Sequence, residues 1–309
     1  MTKCEFFVVD VFAIDDLMGN PVMVVIQNDA LDELRMQAFS SWNGMPETVF
    51  LTRSNDTDES DYSVRIFSPR AELGFAGHPS LGTAHVVMEN GWVTSPRYAP
   101  ADVRFGSGAC SAVILRQHCK IGMVETRVLR SQNGEARAFV KTPEAGEVHV
   151  LPEQVTQDVS AMLGGPYDAK AYRVRAGANW IVVRLRDQTA LEALVPHMRA
   201  IEVLSISLGV SGITAYAPIP NHPSDHFEVR SFGPAIGVPE DAICGGGNAC
   251  VAVLETHLVE SSTTSGGFQT RQGRFVGRDG RAQLIGPVDG GRYWVGGTTK
   301  TVIQGSVSL

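Results

Sequence analysis

Two short glycine-bearing turns, Ala76-Gly77-His78-Pro79 and Cys244-Gly245-Gly246-Gly247, each stand directly before an apolar stretch with helical spacing. The first backbone N–H groups of a helix have no partner inside it, so such a turn can hold an anion, and a carboxylate is the expected ligand. A plain tight loop is the alternative for either turn taken singly. Glu47 sits in the apolar run Met45-Pro46-Glu47-Thr48-Val49-Phe50-Leu51. Burial raises a carboxyl's pKa toward the range where it both takes and gives a proton; a salt-bridged structural glutamate is the alternative. His78, at the mouth of the first helix, can donate a hydrogen bond to a ligand or orient Glu47, unless it is spent on backbone. Asp241 precedes the second turn and either accepts a hydrogen bond from a ligand amine or hydroxyl or caps the helix. Cys244 is a candidate second acid/base, because a helix N-terminus favours thiolate, or else a passive small side chain.

The elements that must carry these groups occur twice. Val64-Arg65-Ile66-Phe67-Ser68-Pro69 returns 165 residues later as Val229-Arg230-Ser231-Phe232-Gly233-Pro234. Asn20-Pro21-Val22-Met23-Val24-Val25 is echoed by Asn179-Trp180-Ile181-Val182-Val183, and a glycine turn follows each Val-Arg-x-Phe-x-Pro. Three landmarks in one order mean a duplicated module, with a period too long for a solenoid. Strands are expected near 6–12, 22–26, 48–52, 62–67 and 111–115, and again near 172–174, 181–185, 213–217 and 226–232. Helices are expected over 32–42 after a possible cap at Asp29, over 80–90, over 191–198 and from Asn248 to about Val259. The segments 55–61, 131–136 and 261–267 read as loops. A mostly apolar helix needs cover on most sides, so each central helix should lie inside a curved sheet. The expected fold class is α+β, with two pseudo-symmetric lobes, each a mostly antiparallel β-barrel around a central helix. The lobes are expected over 1–122, joined by a returning C-terminal strand at 295–309, and over 123–294, with the two helix tips facing each other across a cleft.

With 309 residues, 43% of them apolar, the chain can build real cores, and its net charge of −7 without a Lys/Arg cluster argues against nucleic acid or an anionic membrane as partner. No apolar run approaches bilayer length, and the N-terminal stretch 3–12 reads as a first strand, so a cytoplasmic protein is expected. Cys4, Cys110, Cys119, Cys244 and Cys250 match neither a zinc pattern nor a disulfide framework. The other histidines form no spaced ligand set, and neither Gly106-x-Gly108 nor the glycines of 286–297 sit in a strand-turn-helix unit. No metal, nicotinamide or other cofactor is expected.

Several segments together resemble the PhzF-like family, named for phenazine biosynthesis: Asp10-Val11-Phe12, Gly19-Asn20-Pro21, Pro46-Glu47-Thr48-Val49-Phe50, Arg65-Ile66-Phe67-Ser68-Pro69, Ile236-Gly237-Val238-Pro239-Glu240-Asp241 and, most specifically, 75–85, Phe-Ala-Gly-His-Pro-Ser-Leu-Gly-Thr-Ala-His. The resemblance runs from about Val8 to near Gly277. It implies the diaminopimelate-epimerase-like fold, a homodimer, and cofactor-free isomerisation of a small carboxylate-containing metabolite in secondary metabolism. It maps the family's acid/base carboxylate onto Glu47, its histidine onto His78 and its aspartate onto Asp241. Gly77, Pro79 and Ser80 in one half, and Gly245, Gly246, Gly247 and Asn248 in the other, are then expected to line the substrate.

Two departures bear on the chemistry. Where the family commonly reads Asp-Pro-x-Thr-Gly-Ser, this chain reads Asp241-Ala242-Ile243-Cys244-Gly245-Gly246 and lacks the serine hydroxyl. Epimerases of the same fold use two cysteines. Cys244 matches one of them, but Ala76 stands at the other, so a two-thiol mechanism is excluded. A racemase, epimerase or dehydratase pairing Glu47 with Cys244 is the alternative enzyme, and a ligand-binding scaffold is the alternative outside enzymes.

Overall fold

A computed structural model describes residues 2–27, 31–54, 59–93, 96–99, 112–131, 134–222, 225–258 and 267–309. Asp29, Gly106, Gly108, Cys110, Ser111, Val259 and most of the expected loops at 55–61 and 261–267 lie outside these residues. The chain divides into two compact units, Met1–Lys141 with Gly296–Leu309, and Thr142–Val295. The first boundary therefore falls at 141/142 rather than at 122/123. The strands after Gly122 continue the first unit's sheet and do not open a second one.

The first unit contains β1 (Lys3–Val11), β2 (Asn20–Ile26), α1 (Glu33–Asn43), β3 (Thr48–Arg53), β4 (Tyr62–Phe67), β5 (Glu72–Leu73), α2 (Gly77–Glu89), β6 (Arg97–Ala99), β7 (Ala112–Cys119), β8 (Gly122–Arg130) and β9 (Ala136–Lys141). The second contains β10 (Glu147–Val150), α3 (Glu153–Met162), β11 (Ala171–Arg175), β12 (Asn179–Arg184), α4 (Gln188–Glu192), α5 (Met198–Leu208), β13 (Ile213–Pro218), β14 (Asp225–Gly233), β15 (Val238–Asp241), α6 (Gly245–Leu258), β16 (Phe268–Gln272) and β17 (Gly280–Val288). The last strand, β18 (Arg292–Ser308), leads the chain back into the first unit and pairs antiparallel with β1. It also pairs with β9, which closes the first unit's sheet on itself.

The duplication is visible in the order of pairing. In the first unit β1–β2, β3–β4 and β7–β8 are antiparallel, while β2–β3 and β4–β7 are parallel. In the second, β11–β12, β13–β14 and β16–β17 are antiparallel, while β12–β13 and β14–β16 are parallel. The parallel joints need crossovers, and α1 and α5 supply two of them. These helices lie at the same 165-residue offset, and each ends at a left-handed glycine, Gly44 (φ 70°) and Gly209 (φ 64°), where a side chain would be strained. The helix expected over 191–198 is instead the end of α4, a break at Pro196, and α5 starting behind His197, whose ring accepts the Ala200 N–H.

A repeated ion pair braces each central helix. Arg65 forks onto Glu72 at 2.8 and 2.9 Å, and Arg230 forks onto Glu240 at 2.9 Å twice. Each arginine stacks on the phenylalanine two residues on, Phe67 or Phe232. Glu72 and Glu240 stand the same distance ahead of α2 and α6, so the fork fixes the strand that delivers the chain to the helix start. Both helices are buried along most of their length. α2 packs on β1, β2, β3, β8 and β9, and α6 on β10 to β13 and β17. Among the described residues no helix is long and apolar enough to cross a membrane.

Candidate active site

The glycine segments are not turns that precede helices; they form the first turns of the helices. α2 starts at Gly77 and α6 at Gly245, each about three residues earlier than the apolar spacing implies. At the start of α2, Ala76 offers no side-chain acceptor, and Pro79 has no N–H. The first turn of α2 therefore has no side-chain cap. At the start of α6, the Cys244 sulfur accepts the Gly247 N–H at 3.2 Å, and the Cys244 carbonyl accepts the Asn248 N–H at 3.0 Å. Cys244 thus caps the start of α6. The amides of Gly245 and Gly246 bond to no acceptor among the described residues, and Gly246 is partly exposed.

Glu47 and His78 meet. Both are buried, at 6% and 3% exposure, and Nδ1 of His78 lies 3.3 Å from Oε2 of Glu47. Their meeting point is the start of β2: the Glu47 carbonyl accepts the Met23 N–H, and His78 Nε2 lies 3.4 Å from the Pro21 carbonyl. A carbonyl only accepts, so Nε2 carries the hydrogen. Burial pushes the imidazole down to about 4, outweighing the Pro21 bond, which acts upward. The ring is neutral near pH 7 and turns the lone pair of Nδ1 toward the carboxyl group.

Asp241 ends β15 and is buried, opposite Ser231 of β14. Its carbonyl accepts from Gln272 Nε2 at 3.0 Å. Gln272 Oε1 accepts both the Cys244 N–H (3.3 Å) and Asn248 Nδ2 (2.8 Å), and Asn248 Oδ1 takes the Thr270 hydroxyl at 2.6 Å. Gln272 therefore holds the whole 241–248 segment. No local signal in the sequence marks it, because its partners lie far away along the chain. Asn248 and Gly247 are spent in this network, and Ser80 is spent likewise: its hydroxyl donates to the Ala76 carbonyl and accepts from Gln117. These three residues, expected to line substrate, shape the helix starts through these bonds. Cys4, Cys119, Cys244 and Cys250 are buried thiols outside any disulfide. Among the described residues no three His, Cys, Asp or Glu side chains converge as a metal site.

A family profile described as "Phenazine biosynthesis-like protein" matches residues 9–305. The chain is 29% identical to antisense-enhancing sequence 1 of Schizosaccharomyces pombe, over 99% of each chain. It is 28% identical to trans-2,3-dihydro-3-hydroxyanthranilate isomerase of Pseudomonas aeruginosa, over 90% of this chain and 88% of that one. Among solved structures, a PhzF-family phenazine biosynthesis protein of Bacillus anthracis superimposes with a TM-score of 0.79 at 19% identity, each chain fully covered. That likeness shows a common fold.

Proposed function

This chain belongs to the phenazine biosynthesis-like (PhzC-PhzF) family, and we propose that it is a cofactor-independent isomerase that moves a proton within a small carboxylate-bearing metabolite. Glu47 is the acid/base. It takes a proton from a substrate carbon and returns it to another carbon of the same conjugated system, so the product is an isomer and no electrons leave. His78 orients Glu47 and shares its proton. Asp241 accepts a hydrogen bond from a substrate amine or hydroxyl. The amides of Gly77 and His78, in the same unit as Glu47, stabilise the negative charge that develops when the carbon–hydrogen bond breaks, and those of Gly245 and Gly246 are donors for a carboxylate, roles that helix starts perform well away from water.

The observation that carries this reading is the buried 3.3 Å approach of the Glu47 carboxyl to a neutral His78 ring. The cap formed by Cys244 favours the passive reading of that thiol over a second acid/base. The first substrate to try is trans-2,3-dihydro-3-hydroxyanthranilate, the compound named for the Pseudomonas aeruginosa relative, followed by other unsaturated amino and hydroxy acids. Incubation in heavy water should place deuterium on a substrate carbon, and Glu47→Gln should lower the rate by about 10²–10⁴. Wild-type rates in Glu47→Gln would overturn the assignment.

A further inference from the structure

The indole of Trp180 lies against the start of α6. Trp180 is the second residue of β12, 2% exposed, where the first half of the chain carries Pro21. A Cβ placed on Gly246 would sit 3.2 Å from Trp180 Nε1, nearer than any other described heavy atom. The nitrogen thus borders the space directly over the first turn of α6. On the other side of the ring, a Cβ on Gly212 would come within 2.9 Å of Trp180 Cζ3, so glycine at both positions leaves room for the indole. Among the described residues the indole N–H donates to no acceptor, and it is not one of the sealed buried atoms left without a partner, so it is open to an acceptor from outside the protein. The neighbouring amides of Gly245 and Gly246 are donors as well. The first turn of α6 and the indole beside Gly246 thus offer donors and no acceptor.

We propose that Trp180 is a ligand-binding and specificity-determining residue, whose indole N–H binds one carboxylate oxygen while the Gly245 and Gly246 amides bind the other. This deepens the isomerase reading and rests on it, since the anion in question is the substrate's own carboxylate. A neutral amide in its place would turn an N–H toward one of these donors and lose that bond, so the site selects acids over their amides. Pro21 in the first half has no side-chain donor, which assigns this selection to the second unit.

The test is amide- and indole-resolved NMR of uniformly ¹⁵N-labelled protein, with Trp180→Phe, which keeps the ring and drops the donor, used to assign the resonance. The probes are anthranilate, acetate and neutral anthranilamide. A carboxylate should shift the Trp180 indole resonance together with the Gly245 and Gly246 amides, and anthranilamide should shift none of them. Trp180→Phe should keep its dispersed spectrum and bind anthranilate about tenfold more weakly, the loss of one hydrogen bond to a charged group. If the glycine amides move while the indole stays still, or if Trp180→Phe binds as tightly as wild type, the role of Trp180 is overturned and the isomerase reading stands. If no carboxylate moves any of these resonances, the carboxylate site itself is refuted and both fall.

Discussion

Nδ1 of His78 faces Oε2 of Glu47 at 3.3 Å, while the opposite ring nitrogen faces the Pro21 carbonyl at 3.4 Å. The imidazole is therefore held between a backbone carbonyl and a buried carboxyl group. Its position follows from two contacts along β2, which tie the approach to β3 and the first turn of α2 to neighbouring residues of one strand.

This burial has a signature in stability. His78 is held near 4 in the fold, against 6.5 in the unfolded chain, so between those values the unfolded chain binds the extra proton. Stability should be full above pH 6.5 and fall as the pH drops toward 4, by roughly 3 kcal/mol from this residue. Urea unfolding at pH 7, 5.5 and 4.5 would measure the slope. His78→Gln, which does not titrate, should flatten it in this window. An unchanged slope in the variant would contradict the assigned cause.

Cys244 should be replaceable by a better cap. Serine accepts the Gly247 N–H at least as well as sulfur does, so Cys244→Ser should keep turnover and thermal stability. Cys244→Ala should lose the cap and about 1 kcal/mol while also keeping turnover. Turnover reduced a hundredfold in Cys244→Ser would make the thiol a participant and revive the Glu47–Cys244 alternative.

Alanine normally favours a helix over glycine, but not at Gly247. A Cβ there would come within 2.6 Å of the Thr214 hydroxyl and 2.7 Å of the Ser231 hydroxyl, a buried pair bonded to each other at 3.0 Å. Gly247→Ala should therefore destabilise by about 1–3 kcal/mol, the range for forcing extra atoms into a packed core, and lower the melting temperature. A melting temperature at or above wild type would show that the hydroxyl pair can move aside.

Gln272→Met preserves length and removes both the donor to Asp241 and the acceptor for Cys244 and Asn248. Unsatisfied buried partners cost about 1–3 kcal/mol each, so the variant should be clearly less stable. A loosened α6 start should also raise KM more than it lowers kcat. Equal stability and KM would mean that Asn248 and Thr270 hold the segment without it.

The duplication was legible because it is written in whole phrases, the two Val-Arg-x-Phe-x-Pro segments and the two glycine-bearing helix starts, and the resemblance carried Glu47 and His78 with it. The helix boundaries were less so. Glycine at 245–247 reads as a breaker, although tertiary contacts with Thr214, Ser231 and Trp180 make it the residue that fits. The strands β8, β9, β16 and β17 mix charged and apolar residues in a weak alternation, whereas the returning C-terminal strand expected from 295 is present as β18, which pairs with β1 at the other end of the chain and with β9. Gln272 and the donor of Trp180 depend on pairings across long stretches of chain, which no local pattern encodes.

The path of β18 also sets an order of assembly. Residues 142–295 form an uninterrupted unit, whereas the unit that begins at the N-terminus needs Gly296–Leu309 to complete it, down to the bonds that join Thr2 and Leu309 backbone to backbone. On the ribosome the half made first must wait with an open seam, and the half made second can finish ahead of it.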